Sequence, residues 1–254
     1  MNSAEKTAAL LKLLGLAPYV HGVTELGEKI GCSKSGTYKL LAALVQNGLA
    51  AQTVDRKYTL GPAVYILGKT YEDRIGLSRM IRHYLIRLRD LTGENASFSM
   101  LVGGKANLIY REESLQLVRV AGSVGQERPL YAGSTGKVLG AFQDEEEIRR
   151  RLMDEPLTPF TPRTITSPQA LLEEYANIRK QGYAISDGEL NIETIGIGAP
   201  VRDESGSVWA AISIGAPRMR VDDAKRERYI FLVTEIAAEM SRDLTRGTVG
   251  DSLK

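Results

Sequence analysis

The sequence contains a single cysteine, Cys32, and only two histidines, His21 and His83, among 254 residues. One cysteine excludes an intrachain disulfide framework and is typical of a protein in a reducing compartment. Two histidines leave little material for a metal site or a Ser–His–Asp arrangement. A carboxylate pair would have to use Glu189 and Glu193, and nothing in the sequence brings both to one substrate. We therefore expect no metal site, no catalytic residues and no enzyme.

Long apolar runs are also absent, since no stretch approaches the roughly eighteen residues of a membrane-spanning helix. The first residues run directly into a helical pattern and lack the features of a signal peptide. The net charge is only +2, so any basic surface must be local. The hydrophobic and charged fractions, 43% and 25%, are ordinary for a globular protein, and the length predicts two domains. We expect a cytoplasmic protein without membrane contact.

Residues 33–48 are predicted to form a helix whose two faces differ in chemistry. Ser33 is expected to cap its start and Gly48 to end it. One face carries an apolar stripe that is expected to pack inward, formed by Tyr38, Leu41, Leu44 and Val45. The other face is polar and basic near the start, with Lys34, Ser35, Gly36, Thr37 and Lys39. Such a helix is typical of DNA recognition, although an ordinary amphipathic surface helix would show the same pattern.

The neighbouring segments favour DNA recognition. Helices are predicted over 3–16 and 23–30, the second with Thr24 as its N-cap, and Gly31 closes a tight turn before the third helix. Strands are predicted over 49–53 and 57–60 around an Asp55–Arg56 turn. The sequence therefore predicts a winged helix-turn-helix.

The charge of residues 1–60 agrees, because this segment has seven basic and four acidic side chains and a net charge of +3. Lys34, Arg56 and Lys57 are predicted to contact phosphates. The residues predicted to read base edges are Ser35, Thr37 and Lys39. Winged domains also mediate protein contacts, and this remains the alternative.

Several blocks of this segment resemble the N-terminal domain of IclR-type bacterial transcription regulators. They are Thr24-Glu25-Leu26, Gly31 to Leu41, Gly48-Leu49 and Tyr58-Thr59-Leu60-Gly61. The family usually has Arg at the position of Lys39 and Thr at that of Gly36, and a lysine cannot make the arginine fork. With the resemblance, the expected DNA-binding residues are Thr24, Ser33, Lys34, Ser35, Gly36, Thr37, Tyr38, Lys39, Arg56 and Lys57.

The rest of the chain predicts a connecting helix and an α+β domain. Residues 63–74 are predicted to form the connector, with Val64, Leu67 and Tyr71 in register. A second helix follows, and from Ala96 the period changes to two, as expected for an antiparallel sheet of GAF/PAS type. Strands are predicted over 96–102, 106–111, 116–121, 183–186, 195–201 and 207–214, and helices over 77–91, 134–142, 144–153, 168–181 and 221–245. The predicted boundaries are 1–60 for the DNA-binding domain, 61–76 for the linker and 77–254 for the second domain.

The run Ser134-Thr135-Gly136-Lys137 suggests a phosphate loop, but Tyr131 and Val138 stand where the motif requires glycine and a hydroxyl residue. That interpretation is rejected. The run is either an anion site at a helix start or an ordinary helix cap.

The resemblance to IclR-type regulators continues through this domain. It is carried by 129–132, 136–139, Gly182-Tyr183-Ala184, Gly198-Ala199-Pro200-Val201, 211–214 and Pro217. It implies a small-molecule pocket between the helix start and the sheet. The implied effector-binding residues are Leu117, Val120, Arg128, Ser134, Thr135, Ser186, Thr194, Gly196, Ser213 and Gly215.

Two departures bear on the ligand, because the family often has Asp at the position of Ser186 and Cys at that of Gly196. The pocket should therefore be roomier and less negative. Arg128 either pairs with a carboxylate or faces solvent. We expect no cofactor, and an effector that is an organic acid larger than a two- or three-carbon keto acid, with aromatic acids as candidates.

A winged head is too small for tight binding alone, so a homodimer on double-stranded operator DNA is expected. The family commonly forms dimers of dimers. The alternatives are a metabolite-binding module whose head contacts proteins, and an enzyme with an accessory head.

Overall fold

The computed structural model describes residues 1–75, 77–154 and 156–246, and the chain divides into two compact units, Met1–Ile75 and Gly76–Lys254. The elements of the first unit are α1 (Ser3–Leu14), α2 (Val23–Lys29), α3 (Lys34–Gln46), β1 (Ala50–Gln52), β2 (Tyr58–Leu60) and α4 (Pro62–Ile75). β1 and β2 form an antiparallel hairpin, and His21 adds a single bridge to Tyr58. These elements enclose a small core centred on Leu10, Leu26 and Leu41.

The buried face of α3 lies about one residue away from the predicted stripe. Leu41 and Leu44 are buried as predicted, but Tyr38 is 41% exposed and Val45 38% exposed. Their expected burial is wrong, because Thr37 takes the inward position one turn before Leu41. Its hydroxyl donates to Ser33 O at 3.0 Å, so a polar residue is satisfied inside the core.

The start of α2 also differs from the prediction. Gly22 is the N-cap and makes no side-chain cap hydrogen bond, so Thr24 lies within the first turn. Thr24 is exposed and is not the cap.

The connecting helix is present as α4, which spans Pro62–Ile75. Its apolar residues do not form a buried stripe within the chain, since Leu67 is 61% and Tyr71 57% exposed. Tyr65 and Ile66 beside them are also exposed. This helix therefore presents an apolar surface to solvent.

The second unit is built on one antiparallel sheet of six strands in the order β5-β4-β3-β8-β7-β6. Its strands are β3 (Asn95–Val102), β4 (Lys105–Glu112), β5 (Glu127–Arg128), β6 (Ala184–Asp187), β7 (Thr194–Arg202) and β8 (Val208–Pro217). Its helices are α5 (Leu77–Thr92), α6 (Ser134–Ala141), α7 (Glu145–Asp154), α8 (Pro168–Gln181), a 3-10 turn at Arg218–Arg220 and α9 (Asp223–Arg246). The predicted α+β class with an antiparallel sheet is confirmed.

Helices cover the sheet on both sides. α6 and α8 pack through a core that includes Leu139, Leu171 and Tyr175. α5 and α9 pack together beside β3, β7 and β8, and the Tyr84 hydroxyl donates to Asp243 at 2.5 Å. Because successive side chains of a strand point to opposite faces of the sheet, every second side chain packs against the helices on a given face.

The strand predicted over 116–121 is wrong, since this segment is a loop and β5 pairs with β4 instead. Side chains from other elements donate hydrogen bonds to its backbone carbonyl groups, which would otherwise need a neighbouring strand. Val120 O accepts from Asn95 Nδ2 at 2.9 Å, and Val118 O accepts from Arg220 Nη1 at 2.7 Å. An alternating apolar pattern alone could not reveal these contacts.

Candidate functional sites

The first unit exposes a polar and basic surface at the start of α3. Ser33 is the N-cap and accepts from Gly36 N at 3.2 Å, which confirms the predicted cap. The side chains of Lys34, Ser35 and Lys39 are exposed, as is half-exposed Tyr38. Lys34 and Lys39 are available to a partner of opposite charge, while the Ser35 hydroxyl shares a hydrogen bond with the Ser33 hydroxyl at 3.3 Å.

The wing carries two more cations. Arg56 and Lys57 are exposed at the tip of the β1–β2 hairpin, where Arg56 takes a left-handed backbone conformation with φ 58°. The turn is closed by Lys57 N, which donates to the Thr53 hydroxyl at 3.2 Å. These contacts leave both basic side chains pointing away from the core of the unit.

One predicted base-reading residue is placed where it cannot reach DNA. Thr37 is 0% exposed and its hydroxyl is used within the chain, so its proposed role is corrected. Gly36 lies on the same turn, and a Cβ there would come within 2.8 Å of Cys32 Sγ. Cys32 therefore fills the space that a larger residue at position 36 would need.

The second unit contains a cavity of about 330 Å³ between the sheet and the start of α6. Nine of the ten predicted effector residues line it, namely Val120, Arg128, Ser134, Thr135, Ser186, Thr194, Gly196, Ser213 and Gly215. Leu117 does not, because the loop that replaces the predicted strand turns it outward and leaves it 97% exposed. Residues that the sequence did not single out complete the wall, among them Asn95, Ser97, Ser99, Leu108, Arg111, Gln126, Leu190, Asn191, Ile195 and Ile214.

The pairing of the strands explains why small and hydroxyl-bearing residues lie together on the sheet surface that forms the floor of the cavity. Ser97 on β3 lies opposite Ser213 on β8, and Ser213 lies opposite Gly198 on β7. The neighbouring row runs through Gly215 and Gly196. The floor is therefore a band of small residues that crosses the centre of the sheet and leaves space above it.

The glycines of this band also make room for α6. A Cβ at Gly196 would lie 2.9 Å from Ser134 Oγ, and a Cβ at Gly198 would lie 3.3 Å from the Ser134 backbone. Gly133 precedes the helix with φ 79°, a conformation that favours glycine. The start of α6 can thus sit directly on the sheet and place Ser134 and Thr135 in the cavity wall.

A buried ion network also holds the start of α6 in place. Lys137 is 1% exposed and donates to Glu189, Glu174 and Ile185 O at 2.5–2.7 Å. The other oxygen of Glu189 accepts from Gly133 N at 3.0 Å. Lys137 is therefore committed to a structural role, and Glu189 holds a helix rather than forming an acid–base pair with Glu193.

Two arginines provide the charge of the cavity. Arg111 comes from β4 and Arg128 from β5, and no carboxylate is among the described lining residues. Burial lowers the pKa of both guanidinium groups from the ordinary value, and the charge of Arg111 lowers that of Arg128 further. Arginine keeps its proton under these conditions, so the cavity is positive and suits an anion.

Arg111 could not be identified from the alternating pattern. The register of β3 with β4 shifts between Phe98 and Ser99, so that Ile109 is an extra residue on β4. The bulge brings Arg111 to the same side as Leu108, which a regular strand would not do. A bulge in a short strand leaves no clear signal in a single sequence.

Metal-binding and membrane-spanning features are both missing from residues 1–75, 77–154 and 156–246. Within these ranges, no cluster of three or more His, Cys, Asp or Glu side chains is arranged to hold a metal ion. Over the same ranges, no helix is both long and apolar enough to cross a bilayer.

A winged helix-turn-helix joined to a unit with a ligand-sized positive cavity defines a class, the DNA-binding regulators that respond to small molecules. The family model described as "IclR helix-turn-helix domain" matches residues 3–53, and "Bacterial transcriptional regulator IclR C-terminal" matches residues 69–242. The chain belongs to the IclR family of transcription regulators, with an N-terminal DNA-binding domain and a C-terminal effector domain.

Comparisons with individual proteins agree with this family assignment. The chain is 30% identical over 220 residues to the HTH-type transcriptional regulator BhcR of Paracoccus denitrificans, covering 86% of this chain and 79% of that protein. A crystal structure of an IclR regulator from Silicibacter sp. TM1040 has the same fold, with a TM-score of 0.90, 23% identity and 96% of each chain covered. An IclR homologue from Microbacterium hydrocarbonoxydans, solved in complex with 4-hydroxybenzoate, has a TM-score of 0.81 at 22% identity and covers 96% of this chain and 99% of that one.

Proposed function

We propose that this protein is a transcription regulator whose affinity for operator DNA changes when the cavity of its second unit binds a small organic acid. The observation that carries the proposal is the cavity itself. It combines two arginines with a band of hydroxyl groups, and no carboxylate lies among its described lining residues. A positive, partly apolar pocket of this kind favours an anion with a hydrophobic body.

The size of the cavity favours an acid larger than a two- or three-carbon keto acid. A volume of 330 Å³ equals that of about eleven water molecules in the liquid, at roughly 30 Å³ each. Aromatic acids fit this space, and the related fold solved with 4-hydroxybenzoate supports them as candidates.

The exposed residues of α3 and the wing are proposed to bind the operator. Lys34, Arg56 and Lys57 would contact phosphates, and Ser35 and Lys39 would read base edges. Thr24, Ser33, Gly36 and Tyr38 would complete the contact surface as backbone, cap or edge contacts. The net charge of +3 over residues 1–60 supports this assignment.

We further propose that the protein acts as a homodimer or a dimer of dimers, in the cytoplasm where operator DNA lies. The support is the exposed apolar surface of α4, with Ile66 62% and Leu67 61% exposed. Two copies would place two recognition helices on a two-fold repeated site. We propose α4 as the segment that transmits the effect of the ligand, since it ends the first unit.

The experiment is a titration of the full-length protein with aromatic and aliphatic acids, followed by thermal unfolding. Acids should raise the melting temperature, while neutral analogues of the same shape should not. Stabilisation by neutral or cationic compounds alone would refute the proposal. A partner protein bound without DNA and insensitive to salt would favour the alternative that the head mediates protein contacts, and turnover of a bound acid would favour an enzyme.

A further inference from the structure

The two arginines of the cavity have no acidic partner in the part of the chain that the structure describes. Neither Arg111 nor Arg128 forms an ion pair with any described carboxylate. Arg111 Nη2 donates to Val120 O, but its Nε is buried and has no hydrogen-bond partner among the described residues. The acid whose charge acts on Arg111 is Glu113, and Glu113 is itself paired with Arg119 at 3.1 Å.

The chain is shaped to hold Arg111 in this position. The bulge at Ile109 turns it toward the cavity, and the guanidinium lies against Gly122, where a Cβ would collide with Nη1. Val120 O is held in place by a second donor, Asn95 Nδ2, at 2.9 Å. These contacts fix the Arg111 side chain and leave its Nε–H without an acceptor. We take this arrangement as organised to receive a ligand rather than to face solvent.

Two unpaired cations on one side of a cavity are unfavourable unless a ligand compensates both. Like charges repel each other, and each guanidinium loses hydration on burial. A single carboxylate carries one negative charge and would leave the second cation uncompensated. A ligand with two negative charges near β4 and β5 would balance the site.

We propose that the effector is a dianionic organic acid, whose two negative charges are bound by Arg111 and Arg128 while its apolar body lies over Leu108 and Val120. This inference rests on the proposed function and narrows the class of its ligand. A dicarboxylate and a phosphate monoester share this chemistry, and both can be accommodated at a ligand size of about ten non-hydrogen atoms.

The test compares matched acids that differ by one charge, by calorimetric titration of the full-length protein at constant ionic strength. The pairs are phthalate with benzoate, adipate with hexanoate, and phenyl phosphate with phenyl sulfate. The dianion should bind at least about tenfold more tightly in one or more pairs, because breaking a buried charge pair is costly. Preference confined to phenyl phosphate identifies the phosphate source, and preference confined to phthalate or adipate the dicarboxylate source.

Substitutions then assign the two charges to residues. Arg111→Gln and Arg128→Gln should each reduce the dianion preference to about the level of the monoanion. The matched control is Arg149→Gln, an exposed arginine paired with Glu145 outside the cavity lining, which should leave the preference unchanged. Because the comparison of acids uses the unmodified protein, it remains decisive even if a variant fails to fold.

The outcomes separate this inference from the function on which it rests. If monoanions bind as tightly as dianions in every pair, the inference is wrong and the proposed function stands. If none of the six acids binds, both are wrong.

Discussion

At the scale of single residues, we propose that different side chains position the protein on DNA and read its sequence. Lys39 lies on the exposed face of α3, whereas Arg56 lies at the wing tip. Thr37 cannot join them because its hydroxyl bonds to Ser33 O within the core. Burial of one residue thus changes the set of base-reading candidates, and no sequence pattern could have shown it.

Lys39→Ala should reduce the preference for a selected operator over random DNA by about 1–3 kcal/mol, since a base-edge contact is lost. Arg56→Ala should weaken binding to both DNAs equally and reduce the slope of log affinity against log salt by about one. Anisotropy titrations at several salt concentrations measure both effects. Equal effects of the two substitutions on sequence preference would contradict the assignment.

The cavity depends on the absence of a side chain at Gly196. Gly196→Ala should displace Ser134, whose Oγ would lie 2.9 Å from the new methyl group, and weaken acid binding by about 1–3 kcal/mol. Gly22→Ala is the matched control, because Gly22 lies outside the cavity and a Cβ there would meet nothing within 4 Å. Calorimetric titration of both variants with the same acid measures the difference, and the role given to Gly196 would be wrong if Gly196→Ala bound the acid as tightly as Gly22→Ala.

At the scale of elements, the start and end of α3 could be predicted, while the cap of α2, part of the inward face of α3 and the loop at 116–121 could not. Ser33 as a cap and Gly48 with φ 68° as a stop follow from local chemistry. The loop that includes Leu117 depends on Asn95 and Arg220, side chains distant in sequence. Nine residues of the cavity wall could be predicted from the family resemblance. Arg111 could not, because its position depends on the bulge in β4.

Two residues of α2 and His21 before it form an ion cluster that should make the first unit sensitive to acid. Glu25 accepts from Lys29 Nζ at 2.7 Å and from His21 Nδ1 at 3.0 Å, and these hydrogen bonds lower the pKa of Glu25 from 4.5 to about 2. A carboxyl group with a lowered pKa in the folded state stabilises that state above its ordinary pKa. This contribution is lost as the pH falls from 4.5 toward 2.

Glu25→Gln should therefore destabilise the first unit at neutral pH and flatten its loss of stability between about pH 5 and 3. Thermal unfolding followed at several pH values tests this. Glu28→Gln, an exposed acid on the same helix, is the control. A pH profile of Glu25→Gln that matches the wild type would show that the cluster makes no contribution.

At the scale of the whole molecule, the protein joins two units with different chemistry, a basic head and a positive cavity. A ligand can change DNA affinity only if it binds differently to the states of the protein that bind DNA well and poorly. The exposed apolar residues of α4, which ends the first unit, are where we expect a second copy to pack and the effect to pass.

The DNA affinity of the full-length protein, with and without a bound acid, tests the proposed coupling between the two units. A DNA fragment is first selected from random sequence, and its dissociation constant is then measured with the tightest-binding acid present at saturation. We expect a change of about fivefold or more, in either direction, that is absent in Arg111→Gln. An acid that saturates the cavity and leaves the dissociation constant unchanged would contradict the proposed coupling.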